Sequence, residues 1–440
     1  MVVLLHNLKN IFLVAELRKK LAFTLGIFAV YRFGAHVPIP GIDLQALSAL
    51  FSTKFAGSGF FSYLDLLSGG ALHRLAIFSL AMQPYISASI MMQVLTIAVP
   101  SLEALSKEGE YGRRIINKYT RYLTLVVSAM QAFGMVMYFE RTPGIVLTPG
   151  WGFRLSAVLI LSVGSLFVMW MGEQINSYGL GNGSSMIIFA GIVSGLPGAI
   201  INIAQNVHLG QTDPLKVILL VLVTIAFILS IIFLERGERK VPVQYAKRVV
   251  GQKVYGGQSS YIPLKLNPAN VVPVIFSGAV LTMPLTLVGL IAARWPSIYQ
   301  TVMNWFGYEG LLYNVFNAGL IVFFAYFYTA IIFNPVELAD NIRKSGGFVP
   351  GIRPGKKTAE FFDYLLTRVG FPGALYLATL AILPAVLKAV INFPVMFSGI
   401  SLLIVIGVAL DTSAQLESHL IERRYEGFLS TGRLKGRYAR

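Results

Sequence analysis

The run LAIFSLAMQPYISASIMMQVLTIAV, Leu75 to Val99, holds 25 residues without one charge, and it constrains the fold more than any other feature. About 18 such residues are enough for a helix that crosses a bilayer. In hydrocarbon each backbone N–H and C=O must be bonded within the protein, which leaves helices and closed barrels as spanning structures. Only 13% of the chain is charged and its mean hydropathy is +0.68. A soluble domain carries about 25% charged residues. The chain therefore reads as an all-α integral membrane protein, and a large soluble protein with buried helices fails on run length.

Ten apolar segments are predicted to be spans: 21–37, 75–98, 122–138, 155–171, 186–203, 217–234, 271–293, 311–333, 370–387 and 395–410. An even number puts both termini on one side. With that topology, 28 of the 36 Lys and Arg fall on the side of the termini. The positive-inside rule then makes both termini cytoplasmic. The net charge of +16 is accounted for by topology and does not require nucleic acid. The absence of cysteine excludes disulfides, thiolate metal sites and cysteine nucleophiles. The cluster Arg18–Lys20 precedes an apolar run ending in VPIPG with no small-x-small site, so no cleavable signal is expected. The spans divide into residues 1–210 and 211–440, five in each. Two related halves with an odd number of spans must be inverted; an unrepeated bundle fits the parity equally.

Most of the apolar cores lack Asp, Glu, Lys and Arg; Arg32 lies near the outer end of the first span and Lys388 at the edge of the ninth. Ion-coupled transporters and pumps place ionisable groups within the bilayer. An intramembrane protease needs an Asp pair, a Ser/His pair or metal ligands there. Neither pattern is present, and no P-loop is found. Three features suggest a pathway instead. FFSYLDLLSGGALHR, Phe60 to Arg74, contains a short helical stretch, Phe61–Leu67, stopped by Gly69-Gly70. It is too short to span, so it is interfacial or re-entrant; an ordinary surface helix is the competing reading. Pro84, Pro273 and Pro284 are expected to kink spans 2 and 7. Ser87, Ala88 and Ser89 in span 2, with Ser277, Gly278 and Ala279 in span 7, allow close helix approach, as in a contact that opens or in static packing.

Between spans 8 and 9, SGGFVPGIRPGKKT (Ser345 to Thr358) carries three positive charges and no negative one. Gly351, Pro354 and Gly355 predict a stiff, non-helical tip.

At FSLAMQPYISASIMMQVLT (Phe78 to Thr96) the chain resembles the SecY family. The resemblance continues through KEGEYGRRIINKYTRY (Lys107 to Tyr122), GEQINSYGLGNGSSMIIFAGIVSGLP (Gly172 to Pro197), ERGERKVPVQYAKRVVGQKVY (Glu235 to Tyr255), FYTAIIFNPVELADNIRKSGGFVPGIRPG (Phe327 to Gly355) and SLLIVIGVALD (Ser401 to Asp411). It implies ten transmembrane helices in two inverted five-helix halves, a clamshell between which unfolded polypeptide passes. It implies a pore ring at Met82, Ile86, Ser184, Ile188, Ile275 and Ile404. An apolar collar of this kind dewets and blocks ions while yielding to a chain. Methionine at 82 and serine at 184 depart from the usual isoleucine.

The same resemblance implies a plug at 60–72, with Phe61, Leu64, Leu67, Gly69 and Gly70, and a lateral gate including Ser87, Gln131, Ser277, Ala279 and Met283. Through the gate, signal sequences and membrane segments leave into lipid. Cytosolic loops at 235–269 and 334–369 would dock the SecA motor ATPase or the ribosome through Arg353, Lys356, Lys357, Lys247, Arg248 and Lys253. Ribosomal RNA phosphates or acidic protein surface suit such a patch. SecE and SecG are the implied companion subunits, the bacterial cytoplasmic membrane the implied location, and no cofactor or catalysis is implied. A secondary transporter of small solutes is the competing function, since inverted repeats and broken helices fit both. An insertase that never opens a full pore differs only in degree.

Overall fold

The computed structural model describes residues 14–51, 64–65, 67–142, 144–210, 213–245, 248–250, 253–255, 259–291, 310–391 and 399–431, with single positions at 297, 301 and 305. Each apolar segment read from the sequence falls at least in part on a helix among the described residues. In chain order these helices are α1 (Ala15–Gly34), a short α2 (Leu44–Leu50), α3 (Gln83–Ala98), α4 (Pro100–Lys107), α5 (Glu110–Arg141), α6 (Trp151–Tyr178), α7 (Gly183–His208) and α8 (Pro214–Arg236). Four strands follow, β1 (Glu238–Tyr245), β2 (Arg248–Val250), β3 (Lys253–Tyr255) and β4 (Ser259–Lys265). Then come α9 (Val272–Ile291), α10 (Leu311–Ile332), α11 (Pro335–Lys344), β5 (Gly347–Phe348), α12 (Lys356–Ile391) and α13 (Gly399–Thr431).

Among the described residues seven helices are long and apolar enough to cross a membrane: α5, α6, α7, α8, α10, α12 and α13. The pair α3 and α4, bent by 99°, is an eighth candidate. The remaining two predicted segments fall on α1 and α9. Local sequence explains the ends. Asn182 accepts from Ser185 N at the start of α7, Asp213 from Leu215 N at the start of α8, and Asn334 from Val336 N and Glu337 N at the start of α11. Such caps satisfy N–H groups that have no partner in the first turn. At 23 residues α8 is about 35 Å long, enough for a hydrocarbon core of about 30 Å. It leaves Leu215, Ile218, Leu222, Leu229 and Phe233 exposed, an outward face suited to lipid.

Two expectations are corrected. The second predicted span does not begin at residue 75: the chain is unwound from Leu75 to Met82, and the helix starts at Gln83. Ile77 O is held against α6, where a Cβ on Gly164 would approach it to 2.0 Å, and Leu75 and Ala81 take positive φ. That tertiary fit overrides helix propensity here. Consequently Pro84 lies in the first turn of α3, and Pro273 is the second residue of α9. A proline there removes no intrahelical bond and makes no kink. The sharp bend occurs instead at Pro100, which starts α4; the prolines inside helices include Pro197 in α7, Pro284 in α9 as expected, and Pro372 and Pro384 in α12. The tip of the basic arm is non-helical from Gly351 to Gly355, as expected. α12 begins at Lys356 and runs 36 residues, so Lys356 and Lys357 open a helix.

The helices are joined by a small β component that an all-α reading missed. β4, β1 and β5 form an antiparallel sheet, with Val241 opposite Ile262 and Gln244 opposite Phe348; β2 and β3 form a separate hairpin. The burial of Val241 and Val243 alternates with exposed neighbours, as expected of a sheet with one face covered. That face packs on Ile342, Val349, Phe362 and Leu365.

The main core draws on α1, α3, α6 to α10, α12 and α13. The first-half helices α3 and α5 pack on α9, and α7 packs on α13. Contacts between residues 1–210 and 211–440 thus run along both α9 and α13.

Candidate functional site

Five of the six predicted ring residues belong to the main apolar core. Met82 caps α3 and Ile86 follows one turn later; Ile188 comes from α7 and Ile404 from α13. All four are buried in one apolar cluster, and Ile275 of α9 packs against it. The group contains no polar side chain, so a gap between its members would hold water poorly. Ser184 stands apart. It is the second residue of α7, one turn nearer the helix start than Ile188, and its Oγ donates to Asn182 Oδ1 at 2.7 Å.

The predicted plug is described from Leu64 onward; Phe61 lies outside the described residues. Leu64 and Leu67 are half-buried. Gly69 and Gly70 have φ of +67° and +81° and end the turn. A Cβ on Gly69 would lie 2.9 Å from Gly191 Cα, so glycine is required by conformation and by space. The segment is tied to the first helix by side chains absent from the sequence-derived set. Tyr31 Oη donates to Ser68 O at 3.0 Å, and Arg32 Nη1 donates to Gly69 O at 2.6 Å and to Ser194 Oγ at 3.0 Å. Asp65 Oδ1 accepts from His73 N at 2.7 Å and closes the turn internally. Burial pushes the Asp65 carboxyl above its ordinary range, opposed by that hydrogen bond and by the charges of His73 and Arg74. Arg32 was the one usable signal, as a charge near the end of an apolar span that needed a partner.

Of the predicted gate residues, Ser87 and Ala279 are buried, Gln131 is half-buried, and the side chain of Met283 lies outside the described residues. Ser277 Oγ donates to Asn317 Oδ1 at 2.6 Å and ties α9 to α10. Ser87 Oγ is buried with no hydrogen-bond partner. Serine on α3 and alanine on α9 leave that packing without bulky interlocking side chains.

The basic loops are one unit, because β5 of the second loop adds to β1 of the first. Ile352 packs on their shared core, while Arg353 is exposed beside it. The Arg353 carbonyl accepts from Thr358 Oγ1 at 2.9 Å, and Gly351 and Gly355 take φ of +81° and +101°. The backbone of the tip is therefore set without the guanidinium. Lys356 is exposed; Lys357 pairs with Glu360 at 2.8 Å. Arg248 and Lys253 sit on the β2–β3 hairpin, with their side chains outside the described residues, and Lys247 lies wholly outside them.

A family model described as SecY matches residues 76–413. The chain is 44% identical over 428 residues to the protein translocase subunit SecY of Aquifex aeolicus (strain VF5), covering 96% of this chain and 99% of that one. It is 41% identical over 425 residues to the same subunit of Escherichia coli (strain K12), covering 96% of each. Among solved structures it is similar to one described as the structure of a protein conducting channel, with TM-score 0.65 and 14% identity over 92% of this chain and 93% of that one. It is also similar to Sec61 in the canine ribosome-channel complex from the endoplasmic reticulum, with TM-score 0.62 and 13% identity at the same coverage. The relatives carry the family; at these identities the structures carry the fold.

Proposed function

This chain belongs to the SecY family, and from that membership we propose that it is a passive protein-conducting channel of the cytoplasmic membrane. It translocates unfolded preproteins and releases membrane segments sideways into lipid. The observation that supports the reading is the match to protein translocase subunit SecY relatives over nearly the whole chain, and we assign the collar to Met82, Ile86, Ile188, Ile275 and Ile404, all in or against the main apolar core. Such a collar seals against ions at rest and deforms around a chain in transit. Residues 1–210 and 211–440 act as two inverted halves, with both termini cytoplasmic. The segment around Leu64–Gly70 is the plug beneath the collar. The contact of α3 and α5 with α9 is the lateral gate, where Ser87, Gln131, Ser277, Ala279 and Met283 act.

The chain performs no catalysis; its energy comes from partners. The sheet-linked loops present Arg353, with Lys356, Lys357 and the basic β2–β3 hairpin, to SecA or to the ribosome. A guanidinium on a preset turn suits carboxylate or phosphate oxygens. SecE and SecG complete the membrane complex, and lipid, signal sequences and preproteins are the molecules it handles. The test is copurification with SecE and SecG, followed by SecA-driven uptake of a preprotein into vesicles. Protected preprotein that depends on this chain is the expected result. Uptake of small solutes without SecA or ribosomes, and none of preprotein, would overturn the reading.

A further inference from the structure

Residues 266–271 join β4 of the loop sheet to α9, the helix on which α3 and α5 pack. This joint is seated far more closely than a surface connection. A Cβ on Gly237 would lie 2.3 Å from Leu266 Cδ1, one on Gly373 of α12 would lie 2.4 Å from Leu266 O, and one on Gly407 of α13 would lie 2.3 Å from Val271 Cγ2. Three neighbouring segments thus give up side chains to admit it. Leu266 N donates to Gly237 O at 2.9 Å. Asn267 is 3% exposed, and its Nδ2 donates to Glu235 Oε1 at 2.8 Å and to Asn270 O at 2.9 Å. Glu235 belongs to the last turn of α8. The first half of the joint is therefore fixed to α8 by bonded, satisfied groups.

Asn270, two residues before α9, is held differently. Its φ is +50°, in the left-handed region that side chains other than glycine enter at a cost, asparagine less than most. Its Oδ1 is buried without a partner. Both features disfavour this arrangement. What opposes them is one charge-assisted contact: Nδ2 donates to both carboxylate oxygens of Asp411 on α13, at 3.1 and 2.9 Å. The charge of Asp411 is itself balanced, since Lys265 attracts it and Glu235 repels it through space. Charge is thus settled at the joint, while strain is concentrated at its last polar residue. Strain of this kind persists only where the surroundings impose it, and it favours a second arrangement once they shift.

We propose that Asn270 is a positioning residue for the gate: its bond to Asp411 latches the root of α9 to α13 while α3 and α5 pack on α9, and the bond is given up when α9 moves away from them. Once released, the Asn270 backbone can leave the left-handed region and Oδ1 can meet a donor, which offsets part of the loss. The inference rests on the channel reading and deepens it by naming a contact that opposes opening.

The test uses the full chain with SecE and SecG in vesicles. The chain has no native cysteine, so Met130→Cys on α5 and Val280→Cys on α9, both exposed, can carry spin labels whose separation is read by electron paramagnetic resonance. Asn270→Gly keeps the positive φ and removes the amide. Asn270→Asp sets two carboxylates face to face. Without SecA, each should raise the ratio of separated to close label pairs roughly tenfold, the size that one hydrogen bond to a charged group supports. Asn270→Asp combined with Asp411→Asn moves the amide to α13 and the carboxylate to the joint, and should restore the original distances. A residue that only supports the fold would lower thermal stability without moving the labels, and that result overturns the proposal. So does failure of the exchange to restore them. If the variants do not assemble, the unaltered chain still decides. Hydrogen exchange at Val271, Val272 and Val274 should quicken when SecA and ATP engage a preprotein, and unchanged exchange while the labels separate overturns the latch. Failure of the unaltered chain to take up preprotein removes the channel reading and this one with it, whereas normal uptake with unmoved labels in the Asn270 variants removes the latch alone.

Discussion

Arg32 donates from Nη1 to the carbonyl oxygen of Gly69 at 2.6 Å, across 37 positions of sequence. The bond joins the end of α1 to the turn that closes the Leu64–Gly70 segment, and Ser194 of α7 holds the same nitrogen. A hydrogen bond from a charged donor contributes about 1.5–3 kcal/mol. Arg32→Gln should therefore loosen the segment, with faster hydrogen exchange over residues 67–72 and a higher resting conductance in planar bilayers. Ser194→Ala should have a smaller effect, because the Gly69 bond survives. Equal exchange in Arg32→Gln and the unaltered chain would show that the segment is held by packing alone.

The collar prediction concerns wetting. Replacing Ile86, Ile188, Ile275 and Ile404 together with Asn puts amides where the cluster is now wholly apolar. Resting ion leak should rise, as read by single-channel recording of folded complexes. Unchanged conductance would mean that the seal lies elsewhere. Ser184→Ile should change the leak little, since Ser184 sits a turn away at the start of α7.

Arg353→Glu should leave folding and SecE association intact, because Thr358 Oγ1 and the two glycines set the turn. SecA-driven uptake should be severely reduced; sign reversal at an interface costs several kcal/mol. Arg353→Lys should be partly active, since it keeps the charge and loses the planar fork. Lys357→Glu should be milder, as that lysine already has Glu360 as partner. Uptake and SecA binding measured on the same vesicles separate docking from later steps, and normal uptake by Arg353→Glu would withdraw the docking role.

Asp65 gives a pH dependence of defined sign. Burial raises its pKa in the folded state. The folded protein then binds the proton more tightly than the unfolded chain, whose carboxyl titrates near 4. Stability from this group therefore falls as pH rises through the window between the ordinary and the raised value. Asp65→Asn keeps an acceptor for His73 N and removes the penalty. In thermal unfolding at stepped pH, the variant should exceed the unaltered chain above that window and lose the advantage at its acid end. A stability difference of the opposite slope would show that the hydrogen bond outweighs burial.

The membrane class, the helical segments and the family were legible in the sequence because they depend on local properties. A run such as Leu75–Val99 excludes water whatever it packs against, and caps such as Asn182 and Asp213 act within three residues. The collar residues are assigned by resemblance, since no local signal separates Ile188 from other isoleucines. What tertiary structure decided involves partners distant in sequence. The unwinding before Met82 comes from Gly164 against Ile77 O, and the anchoring of Gly69 from Arg32 and Ser194. The union of the two basic loops comes from β5 adding to β1, about a hundred residues apart. Pro84 shows the boundary between the two most clearly. Its chemistry is local, but whether it kinks a helix or begins one depends on where the fold lets that helix start.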